Sequence, residues 1–394
     1  MRIAAYNSGM GIVSCLGVGV QPVFERMLEG DCGIRTLTRF DGSQYPQPEG
    51  GQLAEEDEDA LREAFPDDDL AAAMIKTAGL EALAGRREHN PKLGLVLATN
   101  FGPMESLEWC WRERLDLGTL DAETFGNYDA VASQAAEFLG CGGPVTQLSM
   151  SCASGAAAVW QALSWLEEGR AERVLAIGYD TLTEFVWTGL TNLHTITTDT
   201  MRPFDTNRSG TLFSEGAAAM LLSRPDTSAA SDVAIAGAAV NNNAFHMTAP
   251  PREAEGSRRV MAAALLDAKA ESAEIDHVCA HATATSANDV TEAQALRNLF
   301  GERLDTMTVA AHKSQLGHMM GAAGLAEAIV TSCALRNGII PPTLHHENPD
   351  PECRLDCVPG QARRREIRTA ITNSAGIGGN NASVVICKTG APQL

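Results

Sequence analysis

The sequence predicts an α/β fold in which helices cover the sheets and the chain is built in two halves. Three observations carry this. Short Val, Ile and Leu runs alternate with longer helical patterns along the chain. With 394 residues and 44% hydrophobic composition, the chain can bury a large core. A polar, Pro-containing stretch, SRPDTSAASD (223–232), falls near mid-chain. The strand-like VAIAGAAV follows it, much as RIAAYNSGMGIV opens the chain, so we divide the sequence into halves 1–228 and 229–394.

Taken in order, the opening Met1–Tyr6 reads as a first strand and lacks the parts of a signal peptide. EEDED (55–59) reads as a solvated helix face, and PDDD (66–69) as a helix start. LGLVLAT, RVLAIGYD (173–180), AAAMLLS (217–223) and ASVVICK (382–388) read as buried strands. Gly155 to Glu168 reads as a helix, with Val159, Leu163 and Leu166 apolar beside Trp160 and Trp165. No apolar run approaches the ~20 residues of a membrane helix. The ten cysteines form no CxxC pair, so they read as reduced thiols of a cytoplasmic protein. A net charge of −20 argues against nucleic acid or an anionic membrane as partner.

The chemistry begins at Cys152. VTQLSM before it is a strand pattern and SGAAAVWQALSWLEEG after it a helix pattern, which puts the thiol at a strand-to-helix turn. A helix N-terminus favours a thiolate, and its free N–H groups can hold an oxyanion. A buried structural cysteine fits this stretch equally well. His281 follows the apolar DHVCA, and AHKSQLGHMMGAAGLAEA carries Lys313, His318 and Glu327. TNSAGIGGNNASVV is a Gly-rich turn between two strands. Two histidines, a lysine and a cysteine, each beside Gly- or Ala-rich turns, are hard to explain as packing.

These motifs together resemble those of the beta-ketoacyl synthases, condensing enzymes of the thiolase superfamily. SCASGAAA is similar to the nucleophile motif, HATATSAND to the first histidine motif and KSQLGHMMGAAG to the second. RPFDTNRSGTLFSEGAAAMLL, PPTLHHENPDPECRLDCVP and NSAGIGGNNAS resemble further family signatures, so the likeness spans nearly the whole chain. It implies a thiolase-like fold of alternating helix and sheet layers from two pseudo-repeated halves. The implied reaction is a decarboxylative Claisen condensation. An acyl group on Cys152 is extended by two carbons from a malonyl-acyl-carrier-protein, in fatty acid or specialised polyketide or polyene synthesis.

The resemblance also implies roles. Cys152 is the nucleophile, and its N–H with that of Ile377 forms the oxyanion hole. His281 and His318, as neutral imidazoles, donate to the malonyl thioester oxygen. Lys313 and Glu327 pair and orient the histidines. Thr283 and Thr285 meet the phosphopantetheine arm of the acyl carrier protein, or else stabilise their own turn. No metal or redox cofactor is implied, because the adjacent His345 and His346 with Cys353 and Cys357 make a poor zinc set. The implied assembly is a homodimer, or a heterodimer with a homologous synthase-like subunit.

Three departures from the family pattern matter. Ala282 replaces a glycine, which suits only a negative φ. Ala375 and Ile377 stand where relatives carry Phe, the second a gate. ATNFGPME (98–105) replaces a Gly-rich segment, and Phe101 would floor the acyl pocket across a dimer interface or else pack in the core. For docking an acidic carrier, Arg62, Lys76, Arg202 and Arg208 remain, with Arg202 and Arg208 equally readable as structural groups bonding buried backbone carbonyls, although the FPDDDLAAAMIKTA helix has Ala71–Ala73 where relatives often carry basic residues. Two other functions are disfavoured. A thiolase needs a second cysteine near the C-terminal Gly-rich turn, where Asn380 and Asn381 stand here. An inactive partner subunit would lack the nucleophile.

Overall fold

The computed structural model describes residues 1–113, 128–227 and 231–390. The boundary expected between residues 228 and 229 lies outside the described residues. The chain runs β1 (Ala5–Ser14), β2 (Gly17–Val18), α1 (Val20–Glu29), β3 (Arg35–Thr36), β4 (Glu49–Gly50), α2 (Glu55–Ala64), α3 (Leu70–Ala82), β5 (Leu93–Ala98), α4 (Met104–Arg112), α5 (Tyr128–Phe138), β6 (Val145–Leu148), α6 (Ser154–Glu167), β7 (Arg173–Asp180), α7 (Glu184–Asn192) and β8 (Gly216–Ser223). It continues with β9 (Val233–Asn242), α8 (Glu255–Ala268), β10 (His277–Cys279), α9 (Ser286–Phe300), β11 (Thr308–Ala310), α10 (Lys313–Leu316), α11 (Ala323–Asn337), β12 (Ile339–Ile340), β13 (Arg363–Arg364), β14 (Thr369–Gly376) and β15 (Asn380–Lys388). The first strand begins at Ala5, while Arg2 before it pairs with Asp267 and Glu167. Asp69 of the PDDD run caps α3, accepting from Ala72 N at 2.9 Å.

One sheet runs in the order β11-β10-β14-β15-β9-β1-β8-β7-β5-β6, with β2 beside β1. In its first half β1 is antiparallel to β8 and β8 to β7, while β7, β5 and β6 are parallel. In its second half β9 is antiparallel to β15 and β15 to β14, while β14, β10 and β11 are parallel. The same order and directions therefore occur twice. The halves join where Ala5 and Tyr6 of β1 pair with Ile235 and Ala234 of β9.

Alternation along the strands builds the layers. In β7, Val174 and Ala176 face a central core, while Leu175, Ile177 and Tyr179 face an outer one with α3. In β15, Val384 and Ile386 face the same central core, and Val385 and Cys387 face the other outer one with α8. Strands buried on both faces must read as unbroken apolar runs, as these do. The central layer is α6 and α11. Both are apolar nearly all round, α11 being buried from Ala323 through Leu335. They cross backbone to backbone: a Cβ on Gly155 would lie 2.7 Å from Leu325 N, and one on Gly324 would lie 2.6 Å from Ala156 N.

This repetition places the chemistry. Cys152 sits in the loop from β6 into α6. In the matching loop of the second half, from β11 into α11, sit Lys313 and His318. His281 follows β10, and the matching loop after β5 carries Thr99, Asn100 and Phe101. Among the described residues, no helix is long and apolar enough to cross a membrane.

Candidate active site

Cys152 is held by a tight local network. Ser151 before it has φ +52°, a left-handed turn that swings the chain from β6 into α6. Ser154 Oγ accepts from Met150 N at 2.8 Å and donates to Ser151 O at 2.5 Å, locking that turn. The tip of the β14–β15 hairpin abuts it, since a Cβ on Gly376 would lie 3.0 Å from Cys152 N. Burial raises the Cys152 thiol to about 11, even with Lys313, the Asn100 carboxamide and the Ile377 backbone N–H acting to lower it. The resting group is therefore a thiol. The helix N-terminus does not by itself make a thiolate, as its position had suggested.

Both histidines are buried, with ring centroids 5.5 Å apart and planes at 88°. Lys313 Nζ lies 3.2 Å from His281 Nδ1, and Met320 N donates to His318 Nδ1 at 3.1 Å. With each Nδ1 accepting, each Nε2 carries the proton. Burial, with the Lys313 charge behind it, holds both imidazoles well below the usual histidine range, so they are neutral. Phe213 stacks on His318, centroids 5.3 Å apart. Lys313 pairs with Glu327 in the buried interior, where desolvation pushes that carboxyl up to about 7 against the ammonium.

Three buried carboxylates that the motifs did not single out as site residues build the frame. Glu292 accepts from His281 N and Ala282 N, both at 2.8 Å, and from Asn373 Nδ2 at 2.8 Å. Asp289 accepts from Phe204 N at 2.8 Å and Ala284 N at 3.1 Å. Asp180 accepts from Thr99 Oγ1 at 2.6 Å, Phe101 N at 3.0 Å and Gly321 N at 2.7 Å. The signal for all three was an acid within or at the end of an otherwise apolar or helical run; only Asp289 fell within a quoted motif.

The structure brings Cys152, His281, His318, Thr283, Thr285 and Ile377 to one cavity of about 140 Å³. Lys313 and Glu327 lie behind it. Thr285 also caps α9, and its hydroxyl lies 3.0 Å from that of Thr283, so both turn-stabilising contacts are present at the cavity wall. His246, Met247 and Thr248, absent from our expected set, line the same cavity. Their loop is tied to the hairpin by Gly378 N donating to Met247 O at 2.6 Å. Among the described residues, no cluster of His, Cys, Asp and Glu is arranged to hold a metal ion.

Two expectations need correction. Ala282 has φ +43°, not a negative φ; its N–H is fixed by Glu292, and a methyl is the smallest side chain that this left-handed position can carry. Arg208 takes the structural alternative and not the docking one. Its side chain is 6% exposed and bonds Asp350 and Asp205 O. Arg62 pairs with Glu58 and Glu105, Lys76 with Asp68, and Arg202 with Asp199 and Glu347. Phe101 is half-buried and packs in an apolar cluster with Leu182, Trp187, Phe213 and Met320 beside the cavity.

Comparison with known proteins follows this geometry. Residues 8–228 match the family model of the beta-ketoacyl synthase N-terminal domain, and residues 233–347 that of its C-terminal domain. The 3-oxoacyl-[acyl-carrier-protein] synthase 2 of Staphylococcus aureus (strain MRSA252) is 30% identical over 411 residues, covering 98% of this chain and 99% of its own. A solved ishigamide ketosynthase/chain length factor is similar at 28% identity and TM-score 0.88, covering 99% of this chain and all of that one. A solved beta-ketoacyl synthase from Burkholderia phymatum STM815 has 25% identity and TM-score 0.88 over the same shares. With a layered thiolase-like fold, a buried cysteine facing two neutral histidines and both halves matched, this chain belongs to the beta-ketoacyl synthases, condensing acyltransferases of fatty acid and polyketide synthesis.

Proposed function

We propose that Cys152, His281 and His318 divide a decarboxylative condensation between them. Cys152 Sγ attacks an acyl thioester; the Sγ–C bond forms, and the donor thiol leaves with the proton that Cys152 gives up. The N–H groups of Cys152 and Ile377 take the oxyanion. A malonyl thioester then enters, and the Nε2–H groups of His281 and His318 donate to its carbonyl oxygen as carbon dioxide leaves. The resulting carbanion attacks the acyl carbonyl and the Cys152 sulfur departs, leaving a chain longer by two carbons. The observation that carries this reading is the pair of Nδ1 contacts, which turns two neutral imidazoles into two donors. Lys313 and Glu327 position His281.

Both substrates ride on the phosphopantetheine of an acyl carrier protein, whose arm runs past Thr283 and Thr285; no further cofactor is needed for these steps. The name of the Staphylococcus aureus relative supports that carrier. Of the four docking candidates, Arg62, with a side chain 39% exposed, is the most open to an acidic partner. The assembly is a dimer, either of two such chains or with a homologous subunit, as the solved ishigamide ketosynthase/chain length factor suggests. Exposed Trp111 and Phe185 flank an apolar groove between α4 and α7 that a second subunit would cover.

The test separates the two half-reactions. Cys152→Ala should abolish elongation while malonyl decarboxylation continues. His281→Ala and His318→Ala should still acylate Cys152 but lose condensation by about a hundredfold or more. Normal condensation by Cys152→Ala overturns the reading.

A further inference from the structure

Residues 244–249 are all exposed, and His246, Met247, Thr248 and Ala249 among them form one wall of the cavity that holds Cys152. Cys152, His281 and His318 are buried at its far side, so this loop marks the mouth. The loop is held in place. Asn243 N donates to Gly379 O at 2.8 Å and Gly378 N to Met247 O at 2.6 Å, which ties it to the tip of the β14–β15 hairpin. Within it, His246 Nδ1 accepts from Thr248 N and Ala249 N, both at 3.2 Å. These bonds occupy backbone and imidazole, and what the loop offers to solvent is apolar: Phe245 is 65% exposed and Met247 73%. A single exposed apolar residue is ordinary, but two flanking one histidine at the mouth of a reaction cavity make an apolar face. The segment is also uncharged. No Asp, Glu, Lys or Arg occurs between Asp232 and Arg252, in a chain of net charge −20.

We propose that Phe245 and Met247 form the docking face for the acyl carrier protein that brings the substrates. The inference rests on the carrier-borne reaction proposed above: a protein that threads its phosphopantetheine arm to Cys152 must seat itself on the rim of that cavity. None of Arg62, Lys76, Arg202 and Arg208 lines the cavity, and each is paired with an acid of its own chain. An acidic carrier meets net repulsion from a chain of this charge. Over this loop the charge lapses, and the first charged residue after it, the exposed Arg252, has the attracting sign. Apolar contact at the rim then supplies the affinity that the paired basic residues are not free to supply. Because the loop is already tied to the hairpin, docking needs little further ordering of it.

The test delivers the same malonyl group in two ways, on an acyl carrier protein and on free pantetheine, to full-length enzyme already acylated on Cys152 by a short acyl thioester. Phe245→Ser should raise the KM for the carrier-borne substrate by about tenfold, the effect of one apolar side chain left unburied, and leave the pantetheine substrate unchanged. Phe245→Leu should restore most of that loss. Met247→Ser should raise the ratio of the two KM values in the same direction. Because the contact is apolar, the wild-type KM for the carrier should change by less than about threefold between low and high salt. A thermal melt and sedimentation check that each variant is folded and assembled as the wild type is. Equal loss on both substrates, no loss on the carrier, a steep salt dependence, or a smaller sedimenting species for Phe245→Ser each overturns the docking face; the last would make the loop a contact between subunits. Titration with the same carrier, bearing its arm without an acyl group, keeps the two readings apart. A carrier that binds wild type more tightly than Phe245→Ser while no condensation occurs would remove the reaction assigned to Cys152 and leave the docking face standing.

Discussion

Lys313 serves His281 and Glu327 at once: its Nζ lies 3.2 Å from His281 Nδ1 while it pairs with the Glu327 carboxylate, all three side chains being buried. The ammonium fixes the imidazole tautomer, and the Glu327 carboxyl holds the ammonium in place.

Lys313→Met should therefore fail in two ways. Condensation should fall by about a hundredfold, since one of two oriented donors is lost. Stability should fall by about 3–5 kcal/mol, because Glu327 is left buried without its partner. Adding Glu327→Gln should restore most of the stability and none of the condensation. Denaturant midpoints and single-turnover condensation read the two effects separately. Recovery of condensation in the double variant would show that Lys313 does not orient His281.

His277 predicts an acid-sensitive fold. It is fully buried on β10, with Nδ1 3.0 Å from Thr308 Oγ1, and desolvation lowers it to about 4. Unfolded, it titrates at roughly 6.5. Below that pH the unfolded chain binds a proton that the folded one refuses, so stability is lost as pH falls from about 6.5 toward 4. His277→Gln cannot take the proton. Comparing denaturation at pH 7.5 and pH 5, the variant should gain on wild type by roughly 2 kcal/mol. An unchanged difference would mean that His277 is protonated in the fold.

Phe101 predicts a sharp limit on acyl length. Its cluster includes Phe213, which stacks on His318 and lines the cavity, so the ring stands one side chain from the chemistry. Each buried CH₂ gains ~0.8 kcal/mol until the ring is met, and further growth costs ~1–3 kcal/mol of overpacking. Phe101→Ala should move the limit upward by several carbons and leave short primers unaffected. Competitive acylation of Cys152 by thioesters of increasing length is the measurement. Identical profiles would make Phe101 a packing residue.

Much of the site was legible because its groups sit beside their own strand ends. Cys152, His281 and His318 each occupy a loop that leads from one element into the next and Lys313 opens the short α10, and short motifs capture such places. The frame was less legible. Asp180 accepts from the backbone N–H of Gly321 and Glu292 from the side-chain amide of Asn373, both far along the chain, and nothing local to RVLAIGYD or to α9 names those partners. The docking patch misled for the same reason. Arg208 looks basic in the sequence, and only the fold brings Asp350 to it. Ala282 misled differently: a residue type was read as excluding a backbone angle that a single well-placed hydrogen bond sustains. In the fold, the repeated strand pattern emerged only from pairing, since the two halves share directions and order while differing in sequence.

The crossing of α6 and α11 also constrains how such a protein can change over generations. At Gly155 a single added methyl would meet main chain on every near side, and at Gly324 the nearest atom it would meet is also main chain, which cannot swing aside. Those positions are closed to inherited variation, and the spacing between nucleophile and histidines is closed with them. New acyl preferences must therefore be acquired around the rim, at residues such as Phe101 and Ile377, where a substitution alters what is accepted without disturbing what is done to it.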